Sequence, residues 1–259
     1  MTRSLAAVAA IFLTLGANAD EVRIALIIDD VGYRLAEGRR AVTLPGPVAV
    51  AVLPGAPQAA KLATAAHGLG KEVLVHLPLQ ASVEDGLDEP DSLTLDTTRD
   101  GCSRVFQRAV MQVPYARGVN NHRGSLLTRH PGHMRWLMEE ISEQDQWFFV
   151  DSYTTHHSVA LSIAREHDVP AARRDVFLDS SRDPASIERE FERLKAIARR
   201  DGAAIGIGHP FPETLEFLES ALPRLQADGI RLVSLRELIT PRLHEVDYHA
   251  GIGTIAAKP

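Results

Sequence analysis

Residues 24–33, IALIIDDVGY, set five apolar side chains in an unbroken run ahead of two adjacent carboxylates, Asp29 and Asp30, and a glycine. A run that is apolar at every position, rather than at alternate ones, predicts a strand buried on both faces, as in a parallel sheet covered by helices. Comparable runs fall over residues 22–30, 48–54, 72–79, 116–122, 147–151, 172–179, 203–210 and 230–235, so eight strands are expected. Helical patterns separate them. Gly70, Gly202 and Gly229 stand where a glycine turns a helix end towards the next strand. Asp183-Pro184 supplies an N-cap and a first-turn proline, after which Ile187, Phe191, Leu194 and Ile197 share one helical face.

Strand and helix alternating in this way predict an α/β fold, a closed or nearly closed barrel of about seven or eight parallel strands, with an open doubly wound sheet as the alternative. The glycine fingerprints of dinucleotide and nucleotide phosphate sites are missing from the sequence. Residues 80–97, QASVEDGLDEPDSLTLDT, interrupt the alternation as an acidic loop that either walls a cleft or is a solvated excursion.

Composition then narrows the setting. With 259 residues and 45% apolar content the chain holds ample material for one large core, expected over residues 20–240. Residues 1–19 read as a cleavable export signal: Arg3, an apolar stretch over residues 5–15, and the small-residue site Ala17-Asn18-Ala19. The apolar stretch is shorter than the ~20 residues a membrane span needs, so no anchor is expected after cleavage and the mature protein is periplasmic or secreted. Residues 241–259 read as a loose C-terminal tail. Loss of Arg3 takes the formal net charge from −6 to −7, which argues against a nucleic-acid partner. The one cysteine, Cys102, allows no internal disulfide and has no matched base near it in sequence.

Candidate chemistry sits at the strand ends. Asp29-Asp30 end the first strand, His76 the third, Asn120-Asn121-His122 the fourth, Asp151-Ser152 the fifth and His209 the seventh, while Arg174-Asp175 and Asp179 lie on the sixth. In a parallel α/β fold these ends share one face, so residues far apart in sequence converge on one mouth. Two adjacent carboxylates there repel unless a cation offsets them. Two histidines and one aspartate without a thiolate suit a catalytic Zn²⁺ with an open position. Asp30, His76 and His122 are the expected ligands, and Asp29 is the expected general base. Asp151 caps, orients or reaches the site, and Arg174-Asp175 form an ion pair or a catalytic element. His130, His133, His156 and His157 fall at helix starts and rank below this set.

With those residues assembled, the chain resembles the divergent polysaccharide deacetylases of bacterial envelopes. The resemblance runs in order through IALIIDDVGY, LPGPVAVAVLPGAP, EVLVHLPLQ, GVNNHRGSLLT, FFVDSYTT, RRDVFLD, AIGIGHPFPETL and LPRLQADGIRLVSL, covering almost all of residues 22–239. It implies a distorted (β/α) barrel and metal-dependent removal of acetyl groups from an N-acetylated sugar polymer, related to peptidoglycan or another polysaccharide substrate. It also implies that Asp29 is the base, Asp30 a metal ligand and His209 the acid. Asn120 or Asn121 is then expected to donate to the oxyanion or the substrate, and Arg174 to hold a carboxylate such as Asp29. The relatives take two metal histidines from one H-x-x-x-H motif, which is missing here, so His76 and His122 supply the equivalents from separate strands. The alternative is a non-catalytic periplasmic protein that uses the same mouth to bind glycan or an envelope protein partner.

Overall fold

A computed structural model describes residues 21–83 and 91–239. The expected signal over residues 1–19, the tail over 241–259 and part of the acidic loop lie outside the described residues. The elements run β1 (Val22–Val31), α1 (Leu35–Thr43), β2 (Ala49–Val52), α2 (Ala59–Gly68), β3 (Val73–Leu79), α3 (Arg99–Gln112), β4 (Gly118–Arg123), α4 (Pro131–Ser142) and β5 (Phe148–Asp151). They continue with α5 (Ala160–Glu166), β6 (Ala171–Arg173), β7 (Val176–Phe177), α6 (Pro184–Asp201), β8 (Ala203–Gly208), α7 (Pro212–Ala221) and β9 (Ile230–Leu232).

All strand pairs are parallel, in the order β6-β5-β4-β3-β2-β1-β8-β7, with β9 also paired to β1. The expected sixth strand is thus two short ones, giving nine among the described residues. The reason lies at Arg174-Asp175. The Arg174 amide donates to Asp151 O on β5, and the next amide, Asp175 N, donates to Ile205 O on β8. One segment therefore serves both edges of the sheet, and its two halves are separated by only two residues, within about 10 Å of chain. The sheet curls round to meet itself there, as a distorted barrel.

Alternation along the buried strands divides the core in two. Ala25, Ile27, Ala49, Ala51, Ile205 and Ile207 face the interior, where Val233, Leu235, Leu238 and Ile239 from the segment after β9 pack against them. Ile24, Leu26 and Ile28 face outwards under the helices, with Leu62, Phe106 and Leu194. Both faces of β1 are covered, which is why its sequence shows no polar alternation. Each large side chain so buried contributes ~1.5–3 kcal/mol. Gly206 allows α6 to lie close to β8, since a Cβ there would stand 2.7 Å from Cδ2 of both Leu194 and Leu26. The capping of α6 is as expected: the Asp183 side chain accepts from Ser186 N at 2.9 Å and Gly202 is left-handed, at φ 81°.

Candidate metal centre

Asp29 and Asp30 end β1 at a β-bulge. Ile28 pairs with Val50 and Val31 with Val52, so β1 spends one more residue than β2 over the same rise. Asp30 takes up the irregularity in the left-handed region, at φ 55°. In a regular strand the two aspartates would point to opposite faces. Here both reach one imidazole: His76 Nε2 on β3 is 3.7 Å from Asp29 Oδ2 and 3.2 Å from Asp30 Oδ1.

β4 completes the group. His122 Nδ1 lies 3.0 Å from Asp30 Oδ1 and 3.1 Å from His76 Nε2. The three donor atoms form a nearly equilateral triangle with sides of 3.0 to 3.2 Å. Tetrahedral Zn²⁺ with bonds of ~2.0–2.1 Å sets its ligand atoms about 3.3 Å apart, so the triangle matches one face of such a site. Asp30 Oδ1 supplies a second test. It is buried and accepts no hydrogen bond, although two ring nitrogens stand within ion-pair distance of it. The residues present therefore fit a divalent cation, and this trio is the cluster of this kind among the described residues.

Buried side chains behind the triangle fix its orientation. Asn120 Nδ2 donates to Asp29 Oδ1 at 2.7 Å, and Asn120 Oδ1 stands 2.9 Å from His76 Nδ1. A carboxylate only accepts, so the amide nitrogen must face Asp29 and the amide oxygen must face His76. His76 then carries its proton on Nδ1 and presents the bare Nε2 to the triangle. The second Asn120 hydrogen goes to Ser152 Oγ at 3.3 Å. Asn120 is fully buried and both of its amide hydrogens are used within the protein.

His209, at the end of β8, stands on the open side with Nε2 3.9 Å from Asp30 Oδ2. Its Nδ1 pairs with Asp179 Oδ1 at 2.8 Å, while Asp179 Oδ2 accepts from His209 N and from Thr214 Oγ1. Asp179 thus holds the ring with Nε2 towards the mouth. The sequence shows Asp179 only as one more polar strand end; its pairing with His209 is a matter of register. The rings of Phe177 and Phe211 flank His209, with centroids at 6.0 and 5.5 Å.

Electrostatics follow the burial. Desolvation pushes the Asp29 carboxyl up, against the pull of His76 and His209. Burial acts on Asp30 in the same sense, but His122 and His76 outweigh it and hold that carboxyl well below the usual range. Burial lowers the affinity of His209 for its proton, yet Asp179 and then Asp29 and Asp30 raise its pKa to about 9.

The other expected site residues serve the scaffold. Asn121 bridges Arg123 O and Ser152 N, at 2.7 and 2.9 Å. Asp151 is buried and accepts from Tyr153 N and Ser158 Oγ, shaping the turn after β5. Asp175 Oδ2 accepts from Ile205 N at 2.8 Å, three residues below the end of β8, so its carboxylate braces the seam instead of entering the mouth. Arg174 donates to Ser152 O and Tyr153 O, not to Asp29. Burial, with Glu140 close by, pushes the Cys102 thiol up to about 12, which keeps it protonated and inert.

Known proteins resemble the chain over most of its length. Residues 26–239 match the family described as divergent polysaccharide deacetylase. The chain is 38% identical over 217 residues to protein YibQ of Escherichia coli (strain K12), covering 84% of this chain and 67% of that one. Protein ATU2773 of Agrobacterium tumefaciens C58 has the same fold, with a TM-score of 0.81 at 24% identity over 86% of this chain and 91% of that one. BA3943 of Bacillus anthracis, a CE4 family pseudoenzyme, aligns with a TM-score of 0.51 at 15% identity over 85% of this chain and 66% of that one.

Proposed function

This chain belongs to the divergent polysaccharide deacetylase family, and from that membership we propose that it is a metal-dependent hydrolase removing acetyl groups from an N-acetylated envelope or extracellular polysaccharide. The observation that carries the reading is the triangle of Asp30 Oδ1, His76 Nε2 and His122 Nδ1. These three residues would hold the ion, and the nitrogen and oxygen donor set suits Zn²⁺. Bound there, Zn²⁺ supplies Lewis-acid stabilisation at the acetyl carbonyl and makes a water acidic near neutral pH.

The protein's own groups do the rest. Asp29, buried beside the triangle and pushed up by desolvation, accepts the proton of the attacking water. Asn120 keeps Asp29 and His76 in register with each other. His209 Nε2 delivers a proton to the departing amine, with Asp179 holding the opposite ring nitrogen. Among the described residues no helix is long and apolar enough to cross a membrane. The expected signal would export the protein to the periplasm or beyond the cell.

A second reading, a glycan- or partner-binding protein without catalysis, is favoured by the fold shared with a pseudoenzyme. Metal content and acetate release separate the two. The native chain should carry one Zn²⁺ and release acetate; His122→Ala should lose the ion; Asp29→Asn should keep it and turn over poorly. A native chain that binds the ion but releases no acetate from any glycan would leave the binder.

A further inference from the structure

A cavity of about 270 Å³ beside the mouth is lined by Arg174, Arg189 and Arg193, with Phe177, Ser186 and Glu190. It shares a wall with the candidate site. Phe177 lines the cavity and lies against His209, while Arg174 rests on Phe177 with Cζ 3.6 Å from the ring centroid. Three guanidinium groups against one carboxylate give the lining a formal charge of +2, in a chain whose net charge is −6.

These cations are under-used by the protein itself. Arg174 spends its bonds on two backbone carbonyls and retains further N–H groups of its five. Arg189 donates to the neutral Ser186 Oγ at 3.0 Å. Only Arg193 has an anionic partner, Glu190, at 2.7 Å. Burial brings the Arg174 guanidinium down to about 10, and the Arg193 charge adds to that effect. Arg189 and Arg193 stand four residues apart on α6, a like-charge spacing that costs helix stability.

Guanidinium forks match carboxylates in bidentate geometry. The volume lies just below the usual range of ligand sites, ~300–1,000 Å³, and suits one sugar residue more than a longer segment. Resting on the deacetylase reading, we propose that this cavity is a subsite for a carboxylate-bearing sugar, so that the substrate is an acidic N-acetylated glycan.

Calorimetric titration of the zinc-loaded mature chain carrying Asp29→Asn tests this without turnover. The probes are a disaccharide of N-acetylglucosamine and N-acetylmuramic acid, whose lactyl group bears a free carboxylate, and the neutral N,N′-diacetylchitobiose. The acidic probe should bind about tenfold tighter at low salt. That advantage should disappear in Arg189→Gln/Arg193→Gln, both exposed positions whose exchange leaves the fold intact, and should grow in Glu190→Gln. Equal affinity for the two probes, or an advantage that survives the double substitution, would overturn the assignment. So would inorganic phosphate displacing the acidic probe as effectively as the carboxylated sugar does, since that marks a free-anion site. A native chain that releases no acetate from either probe would sink the deacetylase reading alone, because the binding comparison is read without catalysis.

Discussion

Asp29 and Asp30 are neighbours in the chain, yet both carboxylates face His76 Nε2, at 3.7 and 3.2 Å. The bulge at the end of β1 makes this possible, by giving Asp30 a left-handed backbone that places its side chain on the same side as that of Asp29. Strain of this kind survives where the surrounding structure holds it, and here it brings a base and a ligand to one ring.

The backbone at Asp30 inverts a familiar order of stability. Glycine is ordinarily ~0.5–1 kcal/mol worse than alanine inside a strand, but at positive φ it alone is unstrained. Asp30→Gly should therefore be more stable than Asp30→Ala by about 1 kcal/mol in the metal-free protein, and both should fail to bind Zn²⁺. Denaturant melts of the two variants measure the difference; alanine proving the more stable would contradict the bulge.

Asn120 touches no ion, but it sets the proton on His76 and holds Asp29. Asn120→Ala should lower zinc affinity by roughly 10- to 100-fold with all three ligands intact. Competition with a chromophoric chelator reads this directly, and native affinity would show that the amide does not orient the ring.

His209 makes the metal-free protein sensitive to pH. Its folded pKa, about 9, lies above the ordinary 6.5, so the protonated ring adds stability that is full below about pH 6.5 and is lost as pH rises through 9. The melting temperature of the native chain should fall across that window more steeply than that of His209→Gln. Parallel curves would mean that the ring does not carry this charge.

Asp175 separates bracing from catalysis. Its carboxylate accepts the Ile205 amide across the seam, and leaving that buried donor unpaired costs ~1–3 kcal/mol. Asp175→Ala should unfold at lower denaturant while binding Zn²⁺ as the native chain does. A loss of metal without loss of stability would return Asp175 to the site.

The fold was legible because each strand advertises itself. Runs such as residues 24–28 and 203–207 are apolar at every position, which only a strand covered on both sides requires, and Asp183 and Gly202 mark the ends of α6. Parallel topology then forces Asp30, His76, His122 and His209 to one rim whatever the details of packing. That is why the meeting of these side chains at one rim could be expected from residue type and strand position. What each side chain does at the rim was not readable, because it depends on register, on the bulge and on which neighbour a polar atom finds first. Asn120 has the composition of an oxyanion donor, but its place beneath Asp29 and His76 makes it a buried brace. Asp179 looks like one strand end among several until β7 lies beside β8 and brings it to His209. Apolar periodicity is a local property of the chain and decides where strands run; hydrogen-bond partnership between residues 91 positions apart, as between Asn120 and Asp29, is decided only when those strands are laid side by side.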